Sequence, residues 1–180
     1  MRCAVFTATP RGTKTALRVR ASLDASVDIF GKAGQEMPAE VRVYERLAPQ
    51  VAAAFRQYDA LIFIMATGIA VRMIAGSLKS KLEDPAVLVL DEEAQHVISL
   101  LSGHIGGANE LTRELAASLG ADPVITTATD VQKKLAVDVA AARLALRPSP
   151  KEQIKRFNSA VLDDAAIRYV IDENLARASF

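Results

Sequence analysis

Residues 60–66 (ALIFIMA) constrain the fold more than any other feature of the chain. A strand with one face in water alternates apolar and polar side chains. An unbroken apolar run followed by a turn signal belongs instead to a strand covered on both faces, as in the centre of a parallel sheet. The run ends at Thr67-Gly68, and residues 69–78 carry apolar side chains at Ile69, Val71, Met73, Ile74 and Leu78, a helical spacing. The same β-loop-α order opens the chain, with a buried strand at 3–7, a loop at 8–12 and a helix over 13–23. Residues 27–30 read as a short strand, and 47–55 as an amphipathic helix with Pro49 in its first turn. Two further strands, 87–90 and 97–101, flank a polar turn at 91–95 and could form a hairpin at or near a sheet edge. Residues 103–107 then lead into a helix over 108–119 that Gly120 stops, and a last strand follows at 124–126. This alternation predicts an α/β fold, an open three-layer α/β/α arrangement (flavodoxin-like) with a mostly parallel sheet, over residues 1–131. Residues 132–180 read as a helical or αβ appendage: an alanine-rich helix at 136–146, a break at Pro148-Ser149-Pro150, a helix at 151–162 and a candidate strand at 167–171.

A chain of 180 residues is long enough to hide roughly 70% of its unfolded surface. Hydrophobic residues at 51% and charged residues at 24% are the balance of a globular protein. The 22 Lys and Arg nearly cancel the 21 Asp and Glu, so no basic surplus points to nucleic acid, and any anion site must be local. The single cysteine, Cys3, excludes a disulfide framework and sits in an apolar run where a core role is expected. His96 and His104 are too far apart for one helical face and no Cys or carboxylate pattern completes a ligand set, so no metal site is expected. The apolar runs are too short for a signal segment or a membrane span, which makes the cytoplasm the default location.

In an open parallel sheet, ligands bind beyond the carboxyl ends of the strands, where loops enter helix amino-termini. Three loops are expected there. In the first, 7–14 (TATPRGTK), Thr9, Arg11 and Lys14 with the Gly12 amide could hold an anion, or form an ordinary helix cap and solvated first turn. In the second, Thr67 could cap a helix, Gly68 could admit a ligand close to the backbone, and Arg72 lies one turn on; a plain strand-to-helix connection looks the same. The third, 101–110 (LSGHIGGANE), gathers Gly103, Gly106 and Gly107 around His104. So many glycines imply a tight turn or a close ligand contact. His104 is the candidate general base or acid, Ser102 and Asn109 are candidate donors to a carboxylate or carbonyl, and the Gly106 and Gly107 amides are candidates for an oxyanion. The alternative is a histidine that satisfies a backbone carbonyl in a glycine-rich turn. Without a GxSxG elbow, covalent chemistry at Ser102 is not favoured.

The motifs ATGIAVR (66–72), DPAVLVLDE (84–92), LLSGHIGGAN (100–109) and PVITTATD (123–130) occur in the order in which they stand in CbiG-type proteins of anaerobic cobalamin biosynthesis. The stretch from 59 to 131 resembles the amino-terminal domain of that family throughout, and 135–180 is similar to the start of its middle region. The resemblance implies a hydrolase that opens the δ-lactone of cobalt-precorrin-5A and expels a two-carbon bridge as acetaldehyde, giving cobalt-precorrin-5B. It implies no cofactor of the protein's own, because the cobalt belongs to the substrate. Such a corrinoid is a large, flat polycarboxylate, for which Thr9, Arg11, Lys14, Thr67, Gly68, Arg72, Gly103, Gly106, Gly107 and Asn109 are the expected binding residues, with His104 and Ser102 catalytic. Family members usually continue into a carboxy-terminal domain that nothing here resembles. A corrinoid-binding module that works with a partner carrying that domain, or a homo-oligomer, therefore stands beside the enzyme reading.

Overall fold

The computed structural model describes residues 1–80, 83–143, 151–168 and 170. The chain divides into two compact units, Met1–Ile125 and Thr126–Phe180, a few residues before the boundary at 131 that the change of pattern suggests.

The first unit is built on a seven-stranded sheet in the order β3 (Val41–Tyr44), β2 (Ser26–Lys32), β1 (Arg2–Thr7), β4 (Ala60–Ile64), β5 (Ala86–Leu90), β6 (His96–Leu101), β7 (Asp122–Val124). Strands β1 to β5 are mutually parallel, β6 pairs antiparallel to β5, and β7 pairs parallel to β6. The last two strands thus run against the other five.

The unbroken apolar run becomes β4 at the sheet centre, with every one of its residues buried. Its pleat sends Ala60, Ile62 and Ile64 to one face, where they join Val5, Leu88 and Leu90 under α1 (Pro10–Ser22) and α4 (Ala108–Leu119). Leu61 and Phe63 point the other way, to Phe6, Val87 and Val89 under α2 (Leu47–Ala54) and α3 (Thr67–Ile74). On that second face Phe6 stacks between Phe30 and Phe63, with ring centroids 5.0 and 5.3 Å away. Three layers result, and Cys3 lies wholly inside them. Burial pushes its thiol up to about 11, which suits a core residue and not a nucleophile.

The elements differ from expectation where local chemistry outweighs pattern. Helix α1 starts at Pro10, whose fixed φ suits a first helical turn, and Thr9 caps it. Helix α3 starts at Thr67 itself, with Ala66 as N-cap and no side-chain cap, and gives way to a 3₁₀ turn at Ala75–Ser77. Thr67 is therefore not the capping residue. Strand β7 takes in Pro123, which an edge strand tolerates because one row of its N–H groups has no ladder partner.

In the second unit, α5 (Ala128–Val131), α6 (Val137–Arg143) and α7 (Lys151–Leu162) are described. The Asn158 Oδ1 accepts from the Val137 N–H at 2.9 Å, and Lys134 Nζ donates to the Leu162 carbonyl at 2.8 Å and pairs with Asp164. The expected helix continuation at 144–146 and the Pro148-Ser149-Pro150 break lie outside the described residues. Residues 169 and 171 of the candidate strand at 167–171 also lie outside them, and 167, 168 and 170 are not in a strand.

Candidate functional site

The first loop leaves β1 at the carboxyl rim of the parallel strands. Thr9 Oγ1 accepts from the Gly12 N–H at 3.0 Å, as an N-cap should, and the same hydroxyl donates to the Glu92 carboxylate in a very short contact. Thr15 Oγ1 donates to the Glu92 carbonyl, while Arg11, 78% exposed, stands 4.0 Å from Glu93. Glu92 and Glu93 belong to the turn between β5 and β6, so the acidic turn folds over the start of α1. An anion was the expected guest of this helix terminus, and the protein supplies one of its own. Gly12 answers to packing as well, because a Cβ there would lie 2.3 Å from Thr7 Oγ1. Lys14 is exposed.

The second loop shares this rim. Gly68 and Arg72 are exposed, and Arg72 Nη1 donates to the Gly68 carbonyl at 3.3 Å, one turn back on the same helix. The structure thus brings the Thr9 and Thr67 loops to one end of the sheet.

The third loop does not join them. Because β6 runs antiparallel, Leu101 at its end pairs with Val87 near the start of β5. The glycine-rich segment therefore emerges at the amino rim, across the sheet from the other two loops, and the expected single crevice of three loops is not formed. A hairpin reverses chain direction, so the loop after its second strand has to appear at the opposite end.

At that rim the segment closes on itself. Ser102, with φ of 58°, donates through Oγ to the Asp84 carbonyl at 2.9 Å and ties the end of β6 to the residues before β5. The Gly107 N–H donates to the His104 carbonyl at 3.0 Å, the Ala108 N–H to Ser102 and the Asn109 N–H to Gly103. The Gly107 amide is therefore engaged inside the loop and not offered to an oxyanion. Asn109, 3% exposed, accepts from Ser99 Oγ at 2.7 Å through Oδ1 and packs against Gly103, where a Cβ would meet it at 2.7 Å. Gly106 is equally constrained, since a Cβ there would lie 2.4 Å from that of Ser102. His104 is half-buried at the tip.

Beside this loop a cleft of about 770 Å³ opens along the amino rim. Phe55, Tyr58, Leu78 and Pro85 give it apolar walls, Arg56 and Lys79 bring cations, and Gly106 contributes bare backbone. Its carboxylates are Asp59, Glu83 and Asp84: Asp59 Oδ2 accepts the Arg2 N–H at 2.7 Å, the exposed Glu83 accepts from Ser80 Oγ at 3.3 Å, and Asp84 accepts the Lys79 N–H at 3.0 and 3.3 Å. Tyr58 donates to Asp28 at 2.6 Å, beneath the Arg2 guanidinium, and burial first and then Asp28 hold its hydroxyl above the ordinary phenol range. Sequence reasoning passed over Arg56 and Lys79 because it looked only at carboxyl ends. The available signal was the crowding of Phe55, Arg56, Tyr58 and Asp59 immediately before the central strand. Among the described residues no three His, Cys, Asp or Glu side chains gather to hold a metal, and no helix is long and apolar enough to cross a membrane.

Residues 49–130 match the family described as cobalamin synthesis G N-terminal. The chain is 51% identical over 146 residues to a cobalt-precorrin-5A hydrolase of Salmonella typhimurium, covering 81% of this chain and 41% of that protein. It is 50% identical over 116 residues to a cobalt-precorrin-5A hydrolase of Priestia megaterium, covering 64% and 31% respectively. A crystal structure from Sulfolobus solfataricus, described as a cobalamin biosynthesis protein G homologue, superposes with a TM-score of 0.57 at 27% identity, over 96% of this chain and 51% of that one. The chain spans less than half the length of the curated relatives it matches. Over residues 49–130 the chain is similar to the amino-terminal domain of CbiG-type proteins.

Proposed function

We propose that the chain is the amino-terminal part of a cobalt-precorrin-5A hydrolase of the cytoplasm. The observation that carries the reading is its half-identity to two enzymes of that name. Water adds to the carbonyl of the substrate δ-lactone and the acyl carbon–oxygen bond breaks to leave a carboxylate and a hydroxyl on the two-carbon bridge. That hydroxyl then loses its proton and becomes the carbonyl of acetaldehyde as the carbon–carbon bond to the macrocycle breaks. The electron pair stays on the macrocycle, which takes up a proton. The reaction needs a group to take a proton from water, and His104 is our candidate, held by a loop whose backbone is fixed by its own hydrogen bonds. Ser102 and Asn109 serve to hold that loop in shape. The cobalt arrives within the substrate, and the reading calls for no cofactor of the protein's own.

The chain matches 41% and 31% of these relatives, and a second reading is a corrinoid-binding module that acts together with the carboxy-terminal part they carry beyond the match. Incubation of the purified chain with cobalt-precorrin-5A, with acetaldehyde trapped as its hydrazone, separates the two. Release of acetaldehyde is the enzyme's result. Tight binding without release assigns catalysis to the completed protein.

A further inference from the structure

We infer that the corrinoid binds at the amino rim of the sheet, in the cleft between α2, the 3₁₀ turn and the glycine-rich loop, with Arg56 and Lys79 as the residues that hold its peripheral carboxylates. The inference rests on the corrinoid reading above and gives it a place.

Three independent observations converge. The first is location within the family match: the cleft is lined by residues between Ala52 and Gly106, all inside the matched segment 49–130, whereas of the carboxyl-rim candidates only Thr67, Gly68 and Arg72 lie inside it and Thr9, Arg11 and Lys14 do not. The second is occupancy of the opposite rim, where the α1 terminus that would receive a carboxylate already faces Glu92, and Arg11 faces Glu93. The third is the cleft's chemistry. A corrinoid is an apolar disc with acids around its edge, so its site needs apolar walls and cations at the mouth. Phe55, Leu78 and Pro85 supply the walls. Arg56 and Lys79 are exposed and, among the described residues, form no ion pair, while of the carboxylates beside them Asp59 and Asp84 accept backbone N–H groups and Glu83 accepts the Ser80 hydroxyl. Among the described residues Arg56 and Lys79 are thus cations of the cleft without a carboxylate partner, the groups that a ligand's acids can engage. A volume of about 770 Å³ lies within the ~300–1,000 Å³ usual for small-molecule and cofactor sites. Gly106 brings the loop that carries His104 to the wall of the same cleft, so a ring seated there lies beside the candidate base.

The test is equilibrium dialysis of the chain against cobyrinic acid, a stable cobalt corrinoid with free carboxylates, followed by corrinoid absorbance. R56Q and K79Q are each expected to weaken binding about tenfold, the scale of one lost charge-assisted contact, and K32Q to leave it unchanged. The heptamethyl ester of the probe should bind wild type weakly and be indifferent to both cleft substitutions. Thermal unfolding of R56Q and K79Q at the wild-type midpoint establishes that the fold is intact. Wild-type binding retained by both variants overturns the cleft while leaving the functional reading in place. Weakening in R11Q and K14Q alone overturns it too, by moving the ring to the carboxyl rim. Wild type that neither binds the probe nor releases acetaldehyde from cobalt-precorrin-5A overturns the functional reading and the cleft with it.

Discussion

Thr9 and Glu92, 83 residues apart in sequence, share one hydroxyl at the start of α1: Thr9 Oγ1 accepts from the Gly12 N–H and donates to the Glu92 carboxylate. The contact couples a helix cap to the turn of the β5–β6 hairpin. Thr9→Ala removes both halves and is expected to cost about 1–2 kcal/mol in urea unfolding, the usual range for a lost cap. A cost near zero would show that Glu92 reaches the helix amides without Thr9.

Asp91 sets the shape of the same hairpin turn. Partial burial works to raise its carboxyl, but the N–H groups of His96, Gln95 and Glu93 together outweigh it and hold the group below its ordinary value of 3.8. A carboxyl depressed on folding stabilises the fold above its unfolded pKa and loses that contribution as pH falls through its folded pKa. The stability gap between wild type and Asp91→Asn should therefore be full near about pH 6 and close by about pH 2. Urea midpoints measured across that range check it, and a gap that widened in acid would contradict it.

Gly106 and Gly107 are held to glycine for different reasons. A Cβ at Gly106 lies 2.4 Å from the Ser102 Cβ and 2.9 Å from its carbonyl oxygen, whereas Gly107 has open space but a φ of 82°. Gly106→Ala should cost about 1–3 kcal/mol by overpacking. Gly107→Ala should cost about 1 kcal/mol through backbone strain. Calorimetric midpoints of the two variants rank them.

The buried Asn109 carbonyl oxygen receives the Ser99 hydroxyl at 2.7 Å, bridging the first turn of α4 to β6. Asn109→Ala leaves that hydroxyl without its partner, for an expected loss of about 1–3 kcal/mol in denaturant. Ser99→Ala in the same background should then cost little more, since the interaction is already gone.

His104→Ala is expected to reduce acetaldehyde release by about a hundredfold or more if the imidazole takes the proton from water. Corrinoid binding should stay near wild type. Equal loss of binding and turnover would instead assign His104 to the shape of the loop.

Much of the architecture is legible in the residues. The continuous apolar run of β4 announces a doubly covered strand, and Gly120 marks the end of α4. Strand β3 escapes because VRVY mixes an exposed Arg42 and Val43 into a short sheet edge that needs little apolar character. The site was harder to place. The glycine-rich loop could be recognised as special from composition, and the hairpin expected from 87–90 and 97–101 already sends the loop after its second strand to the opposite rim, a consequence at odds with the expectation of one crevice for all three loops. Arg56 and Lys79 were invisible because they meet only when α2 and the 3₁₀ turn return to the same rim.

The reversal of β6 separates the rims of one sheet by the length of a strand. Strand β5 has five residues, so the Glu92 turn and the Asp84 tie lie ~17 Å apart at ~3.3 Å per residue. Substitutions that retune the Thr9–Lys14 loop are insulated from the Ser102–Asn109 loop by a fully packed layer. The two ends can drift, accept insertions or be engineered as independent surfaces, with β5 as the spacer between them.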